Sequence, residues 1–305
     1  MILVKNPSSR NGRGQRLWKD WEHGLAVAGC PLRTMETNGV NDVERISEVA
    51  PHETLVAVGG DGTINTVING AMVGRADAVG VLYAGTSPDF CRFHQIPCEP
   101  VAALAVLQAN KQRKIDLLRV TYATVAGTAT SAWAGCSCNV GVGAETARVS
   151  NRLRRYVGDF GGTLIGVISA LLKHRSLAID VNVDGVSHAY DKVDHLVVCK
   201  NPWIASGIQL GLDILPDDGR MAVVIVHQRG LMSMLKLLHS LYRGTMTQCS
   251  KVDVLWGHRV EVTSANRCEV EFDGDPQGWL PLRAELAPKA LSLITDLELR
   301  EDRDE

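Results

Sequence analysis

The first part of the chain, up to about residue 115, alternates short apolar runs with stretches of helical periodicity. Short apolar runs bounded by turn residues are typical of buried strands, and apolar positions repeating every 3.6 residues are typical of amphipathic helices. This βαβ repetition predicts a parallel sheet with helices on both faces. The predicted strands are Ile2–Val4, Arg33–Glu36, Thr54–Val58 and Val79–Tyr83, and the predicted helices are Gln15–Ala28, Asp42–Val49, Thr63–Met72 and Glu99–Asn110.

Beyond about residue 115 the pattern changes to many short strands separated by Gly, Asp and Asn turns, such as Val183-Asp184-Gly185. Strands at this spacing favour an antiparallel sandwich or barrel. Two strong helical patterns interrupt them, at Thr146–His174 and Leu231–Arg243. The predicted strands are Ile115–Tyr122, Ser131–Val140, Ala178–Val183, His195–Lys200, Arg220–His227, Val252–Trp256, Arg259–Ser264 and Cys268–Phe272.

This change of pattern predicts an α/β plus β fold with two domains. An open parallel-sheet domain is expected over residues 1–116, and an antiparallel β-sandwich with covering helices over residues 117–290. The C-terminal segment, residues 291–305, is expected to pack back on the first domain. Its last six residues, Arg300–Glu305, have no apolar pattern and predict a solvated tail.

Composition and charge narrow the class of protein. The chain of 305 residues is 45% hydrophobic and 22% charged, which fits a globular protein. Its 32 Lys and Arg against 34 Asp and Glu argue against nucleic-acid binding by bulk phosphate neutralisation. No apolar run reaches the roughly 18 residues of a membrane span, and no charged lead precedes the apolar N-terminus as in a signal peptide. We therefore expect a soluble, cytoplasmic protein whose eight cysteines are free, buried thiols.

The most informative stretch is the loop Gly59-Gly60-Asp61-Gly62-Thr63, which lies between a predicted strand and a predicted helix. At the carboxyl end of a parallel strand, such a loop lies where open α/β sheets bind ligands. Glycines let the backbone approach a phosphate, and the helix N-terminus offers N–H groups and a positive dipole end. The acidic residue is expected to act through a metal ion or a hydroxyl. The alternative is an ordinary turn capped by Asp61 or Thr63.

Two further polar loops follow predicted strands of the same sheet. The segments Asn6–Gly14 and Ala84–Phe90 both contain glycine and small polar residues. Because the carboxyl ends of parallel strands share one edge, the three loops together predict a nucleotide-binding crevice. The chain contains neither a Gly-x-x-x-x-Gly-Lys-Ser/Thr phosphate loop nor a Gly-x-Gly-x-x-Gly dinucleotide fingerprint after a first-domain strand.

The motifs occur in an order that resembles the diacylglycerol kinase catalytic-domain family, which includes bacterial lipid kinases, sphingosine kinases and ceramide kinases. The resemblance extends over nearly the whole chain. The motifs that carry it are Asn6-Pro7, Gly59-Gly60-Asp61-Gly62-Thr63-x-Asn65, Gly85-Thr86-x-x-Asp89-Phe90, Asn139-Val140-Gly141-Val142-Gly143, Leu215-Pro216-Asp217-Asp218-Gly219 and Phe272-Asp273-Gly274-Asp275.

This resemblance implies a kinase that transfers the γ-phosphate of ATP to the hydroxyl of a diacylglycerol- or sphingoid-type lipid, in a cleft between a nucleotide-binding domain and an acceptor-binding domain. By position in the family's motifs, Asp275 would be the general base. Asp218, with the carbonyls of Leu215 and Arg220, would hold a structural Mg²⁺. The residues expected to contact the nucleotide are Asn6, Ser8, Ser9, Thr37, Gly60, Asp61, Gly62, Thr63 and Thr86.

The chemistry of phosphoryl transfer agrees with this assignment. The reaction needs positioning and charge neutralisation more than covalent help from the protein. Mg²⁺ takes one or two carboxylates and keeps most of its waters, and Asp61 and Asp89 are the candidates to hold it. A carboxylate base such as Asp275 can orient the acceptor hydroxyl and take its proton.

Three positions depart from the family's usual residues. Pro88 stands where Asn is usual, so an amide side chain and a backbone N–H are missing. Asp275 stands where Glu is usual and is shorter by one methylene, and Thr66 stands where Glu is common. These departures make an unusual acceptor plausible and leave open a catalytically impaired relative.

The acceptor side of the chain carries two strongly apolar helical segments, Thr163–Leu172 and Leu231–Leu241. They are expected to cover the β-sandwich, and one face could also line an acyl-chain pocket. A basic cluster on both sides of the first segment is either a solvated face or a reversible, peripheral contact with the inner face of a membrane. The cluster comprises Arg148, Arg152, Arg154, Arg155, Lys173, His174 and Arg175.

Two other functions stay open at this point. The chain could phosphorylate a soluble hydroxyl compound, such as a nucleoside or a polyol, or it could be a nucleotide- or lipid-binding regulator without activity. The oligomeric state, including a homodimer, is not predicted by any pattern in the sequence.

Overall fold

The computed structural model divides into two compact units, Met1–Ile115 with Leu291–Glu305, and Asp116–Ala290. We call them the first and the second unit. The predicted apolar helix Thr163–Leu172, the basic cluster, the C-terminal tail and nearly all of Leu231–Leu241 lie outside the described residues. The structure describes residues 1–9, 15–27, 32–38, 42–141, 176–204, 207–227, 237, 240, 243–272 and 275–296.

In the described part of the first unit, the strands β1 Ile2–Lys5, β2 Arg33–Glu36, β3 Thr54–Gly59 and β4 Ala78–Tyr83 are parallel and lie in the order β2-β1-β3-β4. The strands β3 and β4 are almost wholly apolar and buried, as expected for strands covered on both faces. These strands agree with the four that the sequence predicts.

Among the described residues of the first unit, five helices connect or follow these strands. Trp21 and Leu25 of the first helix pack with Ala103 and Leu107 of the last in one hydrophobic core against the sheet. Glu99 caps the last helix, because its carboxylate accepts hydrogen bonds from the first backbone N–H groups. The fourth helix is short and was not predicted. The bounds are α1 Gln15–Val27, α2 Val43–Val49, α3 Asp61–Gly74, α4 Asp89–Phe93 and α5 Pro100–Ala109.

The second unit is built from antiparallel strand pairs, as the sequence predicts. Its inward-facing residues, such as Val198, Val223 and Phe272, form one hydrophobic core. The strands are β5 Gln112–Ala123, β6 Ala129–Ala134, β7 Ser137–Gly141, β8 Leu177–Val183, β9 Val186–Cys199, β10 Trp203–Ile204, β11 Ile208–Gln209, β12 Met221–His227, β13 Val252–Gly257, β14 Arg259–Thr263, β15 Glu269–Phe272 and β16 Asp275–Ile294.

Two predictions about these strands were wrong. The single strand expected over Ser131–Val140 is two strands, β6 and β7, interrupted at Gly135 and Cys136. The long strand β16 was not predicted at all, because proline within a run argues against a strand. It pairs with β14 and β15, and its end, Leu293, pairs with Val79 of β4.

The cysteines are free thiols in the part of the chain that the structure describes, as predicted. Cys136, Cys138 and Cys199 are buried, whereas Cys98 is exposed and Cys249 is half-buried, so the expectation of burial was wrong for these two. No helix among the described residues is long and apolar enough to cross a membrane.

Candidate active site

The N-terminus of α3 is the centre of the candidate nucleotide site. Gly60 precedes the helix in an extended conformation, and no side chain caps the helix at this residue. The first N–H groups of a helix have no partner within the helix, so the N-terminus of this 14-residue helix can receive an anion. Asp61 is the first residue of the helix and is half-buried.

The loop after β1 is tied to α3 by Asn6. The backbone N–H of Asn6 donates to the Val58 carbonyl at 3.1 Å, and its side-chain amide donates to Thr63 Oγ1 at 3.0 Å. The side-chain oxygen of Asn6, Oδ1, accepts a hydrogen bond from the Ser8 N–H at 2.9 Å. One amide side chain therefore joins two of the three predicted loops.

The loop after β4 approaches the same point through two glycines. A Cβ on Gly60 would lie 3.1 Å from the Gly85 Cα, and a Cβ on Gly85 would lie under 3.0 Å from the Gly60 Cα. The Ala84 N–H also donates to the Gly59 carbonyl at 2.8 Å. The two backbones can come this close only because neither residue has a side chain.

The two acidic candidates lie at the starts of helices that follow neighbouring strands. Asp89 begins α4 and is only 6% exposed. Pro88 immediately precedes it, and the Pro88 carbonyl accepts the first hydrogen bond of α4 from the Arg92 N–H at 2.8 Å. Burial, together with the negative charge of Asp61, raises the pKa of the Tyr83 phenol. Tyr83 is therefore a neutral group beside the acidic loop.

The smaller polar residues predicted to contact the nucleotide differ in exposure. Ser8 and Thr86 are exposed, whereas Ser9 is buried. Thr37 is fully buried, and its hydroxyl donates to Asp42 Oδ2 at 3.0 Å. The Thr37 side chain therefore serves the start of α2 in this conformation, and its contact with a nucleotide stays a prediction.

Asp275, the predicted base, belongs to the second unit. It begins β16 and pairs with Phe272 at the end of β15. The structure places the residue directly after a buried strand, as the sequence predicts. Its side chain lies outside the described part of the structure, so its role as a base stays a prediction.

The turn at Asp218 differs from the predicted structural Mg²⁺ site. The Lys200 ammonium donates a hydrogen bond to Asp218 Oδ1 and another to the Arg220 carbonyl, which lies 3.1 Å away. It also forms an ion pair with Asp116 Oδ2 at 2.9 Å. The Leu215 N–H points at Asp218 Oδ2, at 3.0 Å. Two of the predicted ligand groups, the Asp218 carboxylate and the Arg220 carbonyl, therefore contact a lysine ammonium, and this donor set does not fit Mg²⁺. Lys200 could not be found from the sequence, because it follows β9 outside any motif.

Asp218 is held as a carboxylate by these donors. Burial acts to raise its pKa, but the Leu215 N–H and the Lys200 ammonium outweigh that effect, so the pKa of Asp218 is lowered. Arg220 contributes a further bond from its Nε to Asp218 Oδ2 at 3.0 Å. Among the described residues, no group of three or more His, Cys, Asp and Glu side chains is arranged to hold a metal ion.

Comparisons with known proteins cover nearly the whole chain. Residues 1–120 match the family model of the diacylglycerol kinase catalytic domain, and residues 136–295 match that of the YegS C-terminal NAD kinase beta sandwich-like domain. Two diacylglycerol kinases of Staphylococcus aureus, from strains bovine RF122 / ET3-1 and MRSA252, are each 25% identical over 92% of this chain and 87% of their own length.

The fold has a solved counterpart. The crystal structure of a diacylglycerol kinase from Bacillus anthracis superposes with a TM-score of 0.74, at 17% identity, over 97% of this chain and 96% of that one. At this identity the likeness concerns the fold alone. Together with the match of the second family model, it confirms a β-sandwich-like domain in the C-terminal part of the chain.

Proposed function

The chain belongs to the diacylglycerol kinase catalytic-domain family, a family of kinases, and we propose that it transfers the γ-phosphate of ATP to a hydroxyl of a diacylglycerol- or sphingoid-type lipid. The observation that carries the proposal is the meeting of three loops in the first unit. Asn6, Gly60 and Gly85 bring these loops to the uncapped N-terminus of α3.

The nucleotide phosphates would bind at the start of α3. The backbone N–H groups there are suited to phosphate oxygens, and the glycines at positions 60 and 85 leave room for a close approach of the backbone. Asp61 and Asp89 would hold a Mg²⁺ ion, since Mg²⁺ takes one or two carboxylates, and the ion would neutralise charge on the transferring phosphate. The Asn6 amide would keep the Thr63 hydroxyl oriented at the edge of this site.

The acceptor hydroxyl would be oriented by Asp275. An ordinary carboxylate is ionised at neutral pH and can accept a proton without special tuning. In this proposal the second unit supplies both the base and the residues that bind the lipid. Reversible contact with a membrane surface remains part of the same proposal, since a lipid kinase must reach a substrate held in a bilayer.

The test is phosphate transfer from γ-labelled ATP by the full chain in the presence of Mg²⁺. The acceptors are a diacylglycerol and a sphingoid base in mixed micelles, with glycerol and a nucleoside as soluble comparisons. We expect label in a chloroform-extractable product with a lipid acceptor, and roughly 100-fold slower labelling with the Asp61→Asn variant. Label in a water-soluble product alone would refute the lipid assignment. Nucleotide binding without any transfer would refute the assignment as an active kinase.

The alternatives are a kinase for a non-lipid hydroxyl and a catalytically impaired relative that binds nucleotide or lipid. Pro88 favours them, because it removes the amide usual in the family and immediately precedes Asp89, the first residue of the short helix α4. Asp275 favours them as well, because its carboxylate reaches less far than that of Glu. The acceptor panel distinguishes these alternatives from the lipid kinase.

A further inference from the structure

Lys200 follows the end of β9 and is 1% exposed, so its ammonium is removed from water. A buried ammonium is stable only when carboxylates and hydrogen-bond acceptors surround it. Here the acceptors come from two separate parts of the second unit: Asp116 of β5, and the turn before β12, which provides the Asp218 carboxylate and the Arg220 carbonyl. An ammonium has three donors, and these three acceptors take all of them.

The Asp218 carboxylate has no acceptor position left for a metal ion. A carboxylate offers about four lone-pair positions. Oδ1 accepts from the Lys200 ammonium and from the Arg220 N–H at 3.3 Å, and Oδ2 accepts from the Leu215 N–H and from Arg220 Nε, each at 3.0 Å.

Asp116 is occupied in the same way. Its Oδ2 accepts from the Gly219 N–H at 2.8 Å and faces Lys200, and its Oδ1 accepts from the Lys289 N–H at 2.8 Å. The Asp116 N–H donates to the Pro216 carbonyl, also at 2.8 Å. A single carboxylate thus joins β5, the Asp218 turn and β16.

The charges of this cluster balance without a metal. Two carboxylates, Asp116 and Asp218, face two cations, the Lys200 ammonium and the Arg220 guanidinium. Mg²⁺ would add two further positive charges and would require oxygen ligands at about 2.1 Å in octahedral geometry. The observed separations of 2.9 and 3.1 Å from Nζ are those of hydrogen bonds to an ammonium.

We infer that in this protein the Lys200 ammonium permanently takes the place of a structural Mg²⁺ ion, and that it joins β5, the Asp218 turn and β12 of the second unit. The second unit therefore folds without a divalent metal. Any dependence of the protein on Mg²⁺ then arises from the first unit and its nucleotide. This inference does not depend on the proposed substrate, and it can fail while the proposed function stands.

The first experiment measures thermal unfolding of the full chain without nucleotide, in EDTA and in about 10 mM Mg²⁺. The Asp61→Asn variant is used, so that metal binding at the nucleotide loops does not contribute. We expect the two Tm values to agree within about 1 °C. A ligand at about 100 times its Kd raises Tm by several degrees in a protein of this size. A rise of that size, absent when Asp218→Asn is added, would overturn the inference.

The second experiment replaces the lysine itself. Lys200→Met keeps the length of the side chain but leaves two carboxylates facing each other, so we expect Tm to fall by about 10 °C. Lys192→Met is the matched control, because Lys192 lies on the exposed part of the same strand. We expect the control to change Tm by less than about 2 °C. Equal Tm values for the two variants would overturn the inference, and the Mg²⁺ experiment remains decisive if Lys200→Met does not fold.

Discussion

Gly85→Ala tests whether the meeting of the loops after β3 and β4 creates the nucleotide site. A Cβ at this residue would lie under 3.0 Å from the Gly60 Cα and 2.7 Å from the Tyr83 hydroxyl oxygen. Carbon atoms in ordinary contact are about 3.5–4.0 Å apart, so the two loops must separate by several tenths of an ångström or more. The obstacle is backbone, which cannot rotate away as a side-chain end can.

The expected magnitude follows from that overlap. Overpacking of a well-packed site costs about 1–3 kcal/mol. In the free variant the loops relax apart, and ATP must bring them together again, so the cost appears as weaker binding. A loss of about 1–3 kcal/mol raises the ATP Kd roughly 5- to 150-fold.

The assay is isothermal titration calorimetry with ATP on the full chain, with Tm measured in parallel. Gly60→Ala is the milder variant, because its Cβ would be 3.1 Å from the Gly85 Cα, and its Kd should rise only a few fold. Gly80→Ala is the control in the middle of β4. Its Cβ would meet the Leu107 Cδ1 at 2.5 Å, which is the flexible end of a side chain, so stability falls while Kd stays unchanged.

The order of the three variants decides the result. We expect Gly85→Ala to weaken ATP binding more than Gly60→Ala does. We expect Gly80→Ala to bind ATP as tightly as the wild type. A folded Gly85→Ala protein that binds ATP as tightly as the wild type would refute the placement of the phosphates between these loops.

Three further predictions concern single side chains. Asp61→Asn should lower kcat roughly 100-fold in a Mg²⁺-dependent transfer assay, because the carboxylate acts through the metal. The ATP Kd measured by calorimetry should change little. A variant that retains most of kcat would show that Asp61 has no role in the transfer step. Asp275→Asn should lower kcat about 10²–10⁴-fold while ATP binding stays intact. Asp275→Glu should have a lower kcat than the wild type if the Pro88 loop has adapted to the shorter acid. Near wild-type turnover of the Asn variant would exclude Asp275 as the base. Burial raises the pKa of Cys199 to about 12, so its thiol stays neutral at pH 8, and the exposed Cys98 should react with a disulfide reagent well before Cys199 in the folded protein; early labelling of Cys199 in peptide mapping would contradict its burial.

Local pattern was sufficient for the elements that carry the candidate nucleotide site. The strand β3, the glycine turn and the helix α3 follow one another within a few residues, so apolar periodicity and turn chemistry predict all three. Local pattern did not predict the strand β16, because its prolines contradict the local signal for a strand. That segment is a strand through its pairing with β14, β15, β4 and β5.

Tertiary structure alone decided which side chains meet. The Asn6 amide reaches Thr63 because β1 and β3 pair in parallel at a particular register. Lys200 meets Asp116 and Asp218 because three strands of the second unit converge there, and the motif around Asp218 contains no trace of that lysine. A motif specifies the conformation of its own few residues through φ and ψ preferences and short-range hydrogen bonds. The cation that balances a buried carboxylate depends on long-range packing, which a local pattern does not contain.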